Sequence, residues 1–214
     1  MKISDISVEL IGHYGSDNIV ANAARVSFHK EASNYSNEQN EKLIRYLASH
    51  KHFSPFNHTF ISTRCKAPIF VCRQLVKHRF MPWNEVSRRY VDEEPEFYFP
   101  EYWRAKADNA KQGSSEEEAS WIGTNNVERD VQQLLYRYLW MLENGVCPEQ
   151  ARMILPQNMM TEWWWSGTLG AYADMLKLRL DKHTQYESRI VAQKIHDLIL
   201  PIFPVSVPAL LEDV

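Results

Sequence analysis

Thr59-Phe60-Ile61-Ser62-Thr63-Arg64-Cys65-Lys66-Ala67-Pro68-Ile69-Phe70-Val71-Cys72-Arg73-Gln74-Leu75-Val76-Lys77-His78-Arg79-Phe80 is the stretch on which the fold turns. From Thr59 to Lys66, Phe60, Ser62 and Arg64 alternate with Ile61, Thr63 and Cys65, the two-residue period of a strand. Pro68 suits a first helical turn. A helix from there to about Phe80 puts Ile69, Cys72, Leu75 and Val76 on one side. Arg73 and Lys77 are then i,i+4 neighbours, as are Gln74 and His78, so Gln74, Lys77 and His78 emerge near the helix end. Pro82 stops the helix, and residues 83–90 read as a loop.

Outward from this stretch, residues 3–11 read as a strand and Asn18 to Phe28 as a helix. Ser36-Asn37-Glu38-Gln39 is a capping-box pattern that opens a helix to about His50. His52 to His58 is a proline-broken turn, and Phe97–Phe99 a short strand. Residues 104–126 are charged and low in information, a surface excursion to which no chemistry is assigned. Val127, Val131, Leu134, Leu135, Tyr138 and Leu142 step at helical spacing, with Gly145 as terminator. A short helix follows over Pro148–Leu155, then a strand at Trp163–Trp165 whose tryptophans read as core. Gly167 to Leu180 and Glu187 to Ile202 read as helices, with His183 in the turn between them. Strands and helices without βαβ alternation predict one α+β domain over residues 1–214.

Composition narrows the chemistry. Only 7 of 214 residues are glycine, and neither G-x-G-x-x-G nor G-x-x-x-x-G-K-[ST] occurs, so side chains must hold any phosphate. No apolar run approaches the length of a membrane span, and Met1 to Asp5 has no signal-peptide core. Three cysteines, Cys65, Cys72 and Cys147, lack metal spacing and read as inert thiols in a reduced, cytoplasmic setting. No histidine cluster has metal spacing, so no metal is predicted. Net charge is −3, yet residues 64–89 carry seven basic side chains against Glu85 alone. Such a cationic island suggests a confined anionic ligand; the bland alternative is a solvated helix face.

Lys77-His78-Arg79, seven residues, then Ser87-Arg88-Arg89-Tyr90 resembles the signature of the flavin-dependent thymidylate synthases, Arg-His-Arg, seven residues, then Ser. Ala24-Arg25-Val26-Ser27-Phe28 resembles the family's early Arg-Val-Ser segment, and His52 through His58 its His-x-[ST]-Pro-Phe-x-His turn. Ala151 to Pro156 and Leu178 to Gln185 resemble its Ala-Arg-hydrophobic-Leu-Pro and Leu-Arg-x-x-x-His-x-Gln segments, all in the family's order.

The resemblance implies the thymidylate synthase-complementing protein fold, a mixed sheet flanked by helices, in a homotetramer with shared sites. It implies reductive methylation of dUMP to dTMP, with FAD as cofactor and 5,10-methylenetetrahydrofolate and NADPH as co-substrates, and no enzyme nucleophile. Arg179 would be the leading catalytic residue, facing the pyrimidine carbonyl and N3. The dUMP set would be Gln74, Leu75, Val76, Lys77, Glu85, Val86, Ser87, Arg88, Arg89, Arg152 and Arg179. The FAD set would be Ser54, Lys77, His78, Arg79, Glu85, Thr168, Leu169, Gly170, Asp174 and His183. Five positions depart from the family pattern, Thr168 and Asp174 among them, where relatives often have the asparagines of an Asn-x-Arg and a later Asn. Lys77 replaces an arginine, Gly170 falls where relatives place a flavin-binding arginine, and Asn57 stands where glutamate is common. Two other readings stay open: a flavin-binding relative with altered catalysis, and a nucleic-acid-binding module, which the negative net charge disfavours. Neither nucleic acid nor membrane is expected as a partner.

Overall fold

A computed structural model describes residues 1–108, 113–120 and 124–212. In chain order its elements are β1 (Lys2–Ile3), β2 (Ser7–Tyr14), α1 (Asp17–Arg25), α2 (Asn37–Ser49), β3 (Phe60–Pro68), α3 (Ile69–Leu75), β4 (Trp83–Glu85) and β5 (Glu96–Phe97). Then come α4 (Thr124–Glu143), α5 (Pro148–Ala151), β6 (Met160–Gly167), α6 (Leu169–Arg179), α7 (Tyr186–Ile199) and α8 (Ser206–Leu211). The main sheet runs β2-β3-β6-β4 and is antiparallel throughout; the parallel pairing is confined to β1 with β5. Helices flank these sheets, the α+β arrangement that the sequence predicts.

β3 is the central spine. Ile61, Cys65 and Ala67 point into a core with Trp163 and Trp165 of β6, Leu75 of α3, Tyr172 of α6 and Ile195 of α7. Each such fully buried aliphatic side chain contributes ~1.5–3 kcal/mol. Of the three consecutive tryptophans, Trp163 and Trp165 are core, while Trp164 lies on the opposite face and is 46% exposed. A second apolar cluster, with Phe97, Leu135 and Tyr138, sits under α4.

Several boundaries differ from the sequence reading, each for a tertiary reason. The first strand is split at Ser4–Ile6, because its ends serve two different sheets. α3 stops at Leu75 rather than Phe80, so Lys77 and His78 are not on the helix. The chain turns there, with Phe80 in the left-handed region at φ 60°, because Trp83–Glu85 must return as an edge strand against Trp163–Trp165. That strand replaces the first part of the expected 83–90 loop. β6 also extends well beyond the three tryptophans at both ends. α8 is missed by the sequence reading, since Pro208 lies inside it. Its entry is fixed by the Asp17 carboxylate, which accepts from Val205 N (2.8 Å) and Ser206 N (3.0 Å). Pro68 closes β3 and caps α3 rather than lying in its first turn, and the expected Phe97–Phe99 strand is β5 at Glu96–Phe97. The Ser36/Gln39 capping box is formed, and Gly145 at φ +81° ends α4.

Candidate active site

α6 opens at Thr168, whose hydroxyl accepts from Ala171 N (3.2 Å), and closes on Arg179. Arg179 Nε donates to His78 Nε2 at 2.9 Å, and Nη2 donates to the Gln74 carbonyl at 3.0 Å. Two segments 101 residues apart thus converge on one guanidinium. Since His78 Nε2 accepts this bond, the imidazole proton sits on Nδ1. Burial, then the Arg179 charge, pushes His78 down from 6.5 to about 4, so the ring is neutral at neutral pH. Gln74 is held in turn: its side chain donates to Gln185 and its Oε1 accepts from Ser188 Oγ (3.2 Å) on α7. One hydrogen-bond chain therefore ties α3, α6 and α7 around Arg179.

Arg179 and Gln74 line a cavity of about 970 Å³, together with Lys177 and His183. Its far wall is Tyr98, Tyr102, Trp103, Arg104, Gly113 and Ser114. The tract read from sequence as a chemically silent excursion is therefore a cavity wall. Its residues 109–112 and 121–123 lie outside the described residues. Arg104 organises this wall: Nε donates to Ser114 Oγ (2.8 Å), Nη1 donates to Tyr102 Oη (3.2 Å), and the guanidinium stacks 4.7 Å over Tyr186 of α7. Gly113, at φ +87°, lies so close to the His183 carbonyl that a Cβ would come within 3.0 Å of its oxygen. The sequence signal was present as Tyr98, Tyr102 and Trp103 around a single arginine.

A second cavity, about 1070 Å³, opens on a different side of α3 and holds Val76, Glu85, Val86, Ser87, Arg88, Arg89 and Arg152. Glu85 is clamped by Thr161 Oγ1 on one carboxylate oxygen (2.8 Å), and by Trp83 Nε1 (3.2 Å) and Cys72 Sγ (3.3 Å) on the other. Trp83 stacks on buried Trp163 at 4.6 Å, which fixes the base of that clamp. Ser87 Oγ accepts from Arg89 N (3.4 Å) and Arg89 Nε (3.5 Å). Arg88 donates to the Glu93 carbonyl, and Arg152 Nε to the Glu149 carbonyl (3.2 Å). Five basic side chains and six carboxylates line this cavity. The cationic island of the sequence is thus partly balanced in space: Arg64 pairs with Glu162, Lys66 with Glu96 and Arg89 with Glu149.

The remaining sequence-predicted residues fall in neither cavity. Leu75 and Leu169 are core side chains, so only their backbone is available to a ligand. Lys77 and Arg79 are exposed on the turn after α3, with half-buried His78 between them. That turn leads into Phe80 and Met81, which pack on Gly167 at the end of β6, just before α6. Beside them stand Thr168 and Asn57, whose Oδ1 accepts from Thr168 Oγ1 at 2.7 Å, with Ser54 opening the turn that carries Asn57. Asp174 is exposed further along α6. A Cβ at Gly170 would come within 2.3 Å of Asn57 Oδ1. Two departures from the family pattern, at 57 and 170, are therefore one: Asn57 fills the space that a side chain at 170 would take. The buried Cys65 thiol is pushed up to about 12, and burial plus the Glu85 charge also raises Cys72. Cys147 is exposed and lines neither cavity.

Comparison with known proteins places the chain in a family and a fold. The family described as "Thymidylate synthase complementing protein" matches residues 9–205. A "Flavin-dependent thymidylate synthase" of Kosmotoga olearia is 36% identical, over 95% of this chain and 89% of its own. Another from Thermus thermophilus is 38% identical, over 93% of this chain and 73% of its own. The crystal structure of a UMP/dUMP methylase PolB from Streptomyces cacaoi bound with 5-Br dUMP superposes with a TM-score of 0.87 at 29% identity, covering 98% of this chain and 96% of that one. The fold and the relatives define a methyltransferase enzyme. The chain belongs to the thymidylate synthase complementing protein family, the flavin-dependent thymidylate synthases. Among the described residues, no helix is long and apolar enough to cross a membrane.

Proposed function

We propose that this chain methylates dUMP reductively. dUMP, 5,10-methylenetetrahydrofolate, NADPH and a proton give dTMP, tetrahydrofolate and NADP+, in the cytoplasm. The observation that carries this reading is the Arg179 guanidinium, oriented by neutral His78 and the Gln74 carbonyl beside a large cavity. A fixed cation there stabilises negative charge on a pyrimidine carbonyl and N3, which favours attack through C5. Because His78 is neutral, it orients Arg179 without competing for that charge. With the Cys65 and Cys72 thiols held protonated at neutral pH, no thiolate is at hand to add to C6. The pyrimidine is therefore activated by electrostatics rather than by an enzyme nucleophile.

The residues present fit a flavin. Lys77, His78, Arg79, Ser54 and Thr168 form a polar strip beside α6, which at 11 residues is ~16 Å long. They would hold FAD by its phosphates and ring edge, with Leu169 and Gly170 offering backbone and Asp174 and His183 further along. When bound, FAD would carry the electrons from NADPH. Gly170 and Asn57 together would replace the family's guanidinium with an amide, which leaves Lys77 and Arg79 as the strip's own cations, with Arg179 bonded to His78 beside them.

Apart from Leu75 and Lys77, the dUMP residues are divided between two cavities on different sides of α3. This division supports a homotetramer in which Glu85 to Arg89 and Arg152 of one chain complete the Arg179 cavity of another. Purified protein is expected to be yellow, to change its flavin spectrum on adding dUMP, and to form dTMP only when dUMP, methylenetetrahydrofolate, NADPH and FAD are all present. A colourless protein that neither binds added FAD nor forms dTMP overturns the reading.

A further inference from the structure

A third cavity, of about 330 Å³, shares part of its wall with the Arg179 cavity, and no step of the proposed reaction uses it. Tyr98, Pro100, Tyr102, Arg104 and Glu187 line both. The rest of its lining includes Asp5 and Ile6, from the link between β1 and β2, and Tyr186, Ile190 and Lys194 of α7. Its size is that of a small-molecule site.

Tyr98 marks this cavity. The residue is 8% exposed, and its phenol has no hydrogen-bond partner among the described residues. A buried hydroxyl left without a partner is costly. Buried Tyr172, by contrast, donates to the Trp165 carbonyl at 2.8 Å. The Tyr138 hydroxyl is also unpartnered, but it is sealed in the cluster under α4 and lines none of the three cavities. Burial, then the neighbouring Glu187, Tyr186 and Asp5, pushes Tyr98 up to about 12. Tyr186 and Asp5 line the small cavity and not the large one, so the phenol faces the small one.

Three carboxylates, Asp5, Glu101 and Glu187, line the small cavity against two cations, Arg104 and Lys194. Among the described residues no ion pair joins these five groups. Arg104 is engaged by Ser114, Tyr102 and the Tyr186 ring, and Lys194 stands two turns, ~10 Å, along α7 from Glu187. Glu187 accepts from Gln185 Nε2 (3.1 Å) on one oxygen and has the other free. Acceptors therefore gather where the phenol points, beside the faces of Tyr102 and Tyr186 and next to apolar Ile6, Phe99 and Ile190. An ammonium carries three donors and no acceptor, and aromatic faces attract it.

We propose that this cavity binds a small organic ammonium, its N–H donors on Glu187, Asp5 and the Tyr98 hydroxyl and its apolar body against Ile6, Phe99 and Ile190. The site is distinct from the Arg179 cavity and does not depend on the reaction proposed above.

The test is a ligand-observed NMR titration of the purified protein with protonated benzylamine, with benzyl alcohol as the neutral isostere and phenylacetate as the anion. Benzylammonium binds with a Kd below ~10 mM. Benzyl alcohol binds at least about tenfold more weakly, the loss of a charge-assisted contact, and phenylacetate more weakly still. Glu187→Gln and Asp5→Asn each raise the benzylammonium Kd. Tyr98→Phe raises it about fivefold while the melting temperature does not fall, because the hydroxyl has no protein partner to lose. A merely structural role for Tyr98 would lower the melting temperature and leave the Kd alone. Asp181→Asn, whose carboxylate lines only the large cavity, keeps the parent Kd. Absence of benzylammonium binding up to ~10 mM overturns the proposal, as does equal affinity for benzyl alcohol or tighter binding of phenylacetate. Weakening by Asp181→Asn but not by Asp5→Asn would put the amine in the large cavity and also overturn it.

Discussion

The two cavities on either side of α3 are close in size and differ in charge balance: three cations against two carboxylates beside Arg179, five against six in the other. In the one beside Arg179, three cations stand without carboxylate partners among the described residues. In the other, Lys66 pairs with Glu96 and Arg89 with Glu149, Arg88 and Arg152 donate to backbone carbonyls, and six carboxylates stand against five basic side chains. The first is built to attract charge; the second is built to hold residues in place until something outbids its internal pairs. Charge counted along a sequence therefore misleads, because Glu149 and Glu162 return to the cationic segment only in three dimensions, joining Glu93, Glu94 and Glu96 that follow it in the chain.

The largest expected break in this comparison is Arg179→Ala. It should lower turnover about 10²–10³-fold, the typical loss of one donor to a developing anion, while flavin stays bound. Steady-state kinetics with an absorbance check for flavin reads both. Trp163→Ala strikes beneath the second cavity, removing the surface on which Trp83 stacks. It should cost ~3–5 kcal/mol in urea unfolding, as for other buried aromatics. Thr161→Val is finer, removing one of three donors to Glu85. About 1 kcal/mol of net hydrogen bonding corresponds to a roughly fivefold rise in dUMP KM, with Thr161→Ser near the parent value.

The smallest effect concerns pH. His78 titrates at about 4 in the folded chain against an ordinary 6.5, so between these values the unfolded chain binds the extra proton. Its contribution to stability is present above pH 6.5 and is lost as pH falls toward 4. Since His78 is only half buried, the slope is modest. Melting temperatures of the parent and His78→Gln, followed from pH 7 to 4, should show a shallower acid decline in the variant.

What could be read in the sequence was whatever rests on neighbours along the chain. The Ser36 capping box, the Gly145 stop, the alternation in β3 and the core role of Trp163 and Trp165 are of that kind. What could not be read depends on partners far away. α3 ends early because β4 must reach β6, and α8 forms because Asp17 receives its first amides. The same holds at the site. Arg179 and His78 were each singled out by motif, but only folding puts 2.9 Å between them. Asn57 and Gly170 were separate oddities until packing made them one. Arg104 was hidden in a charged tract because its partners, Tyr186 and Ser114, give it meaning.

The central claim is that the two cavities are halves of one site contributed by different chains. Arg179→Ala and Arg152→Ala should each be nearly inactive alone. Co-expressed with distinguishable tags and purified as mixed oligomers, they should regain a substantial fraction of parent dTMP formation, because some sites then pair an intact Arg179 with an intact Arg152. Mixed oligomers no more active than either variant alone would contradict the account.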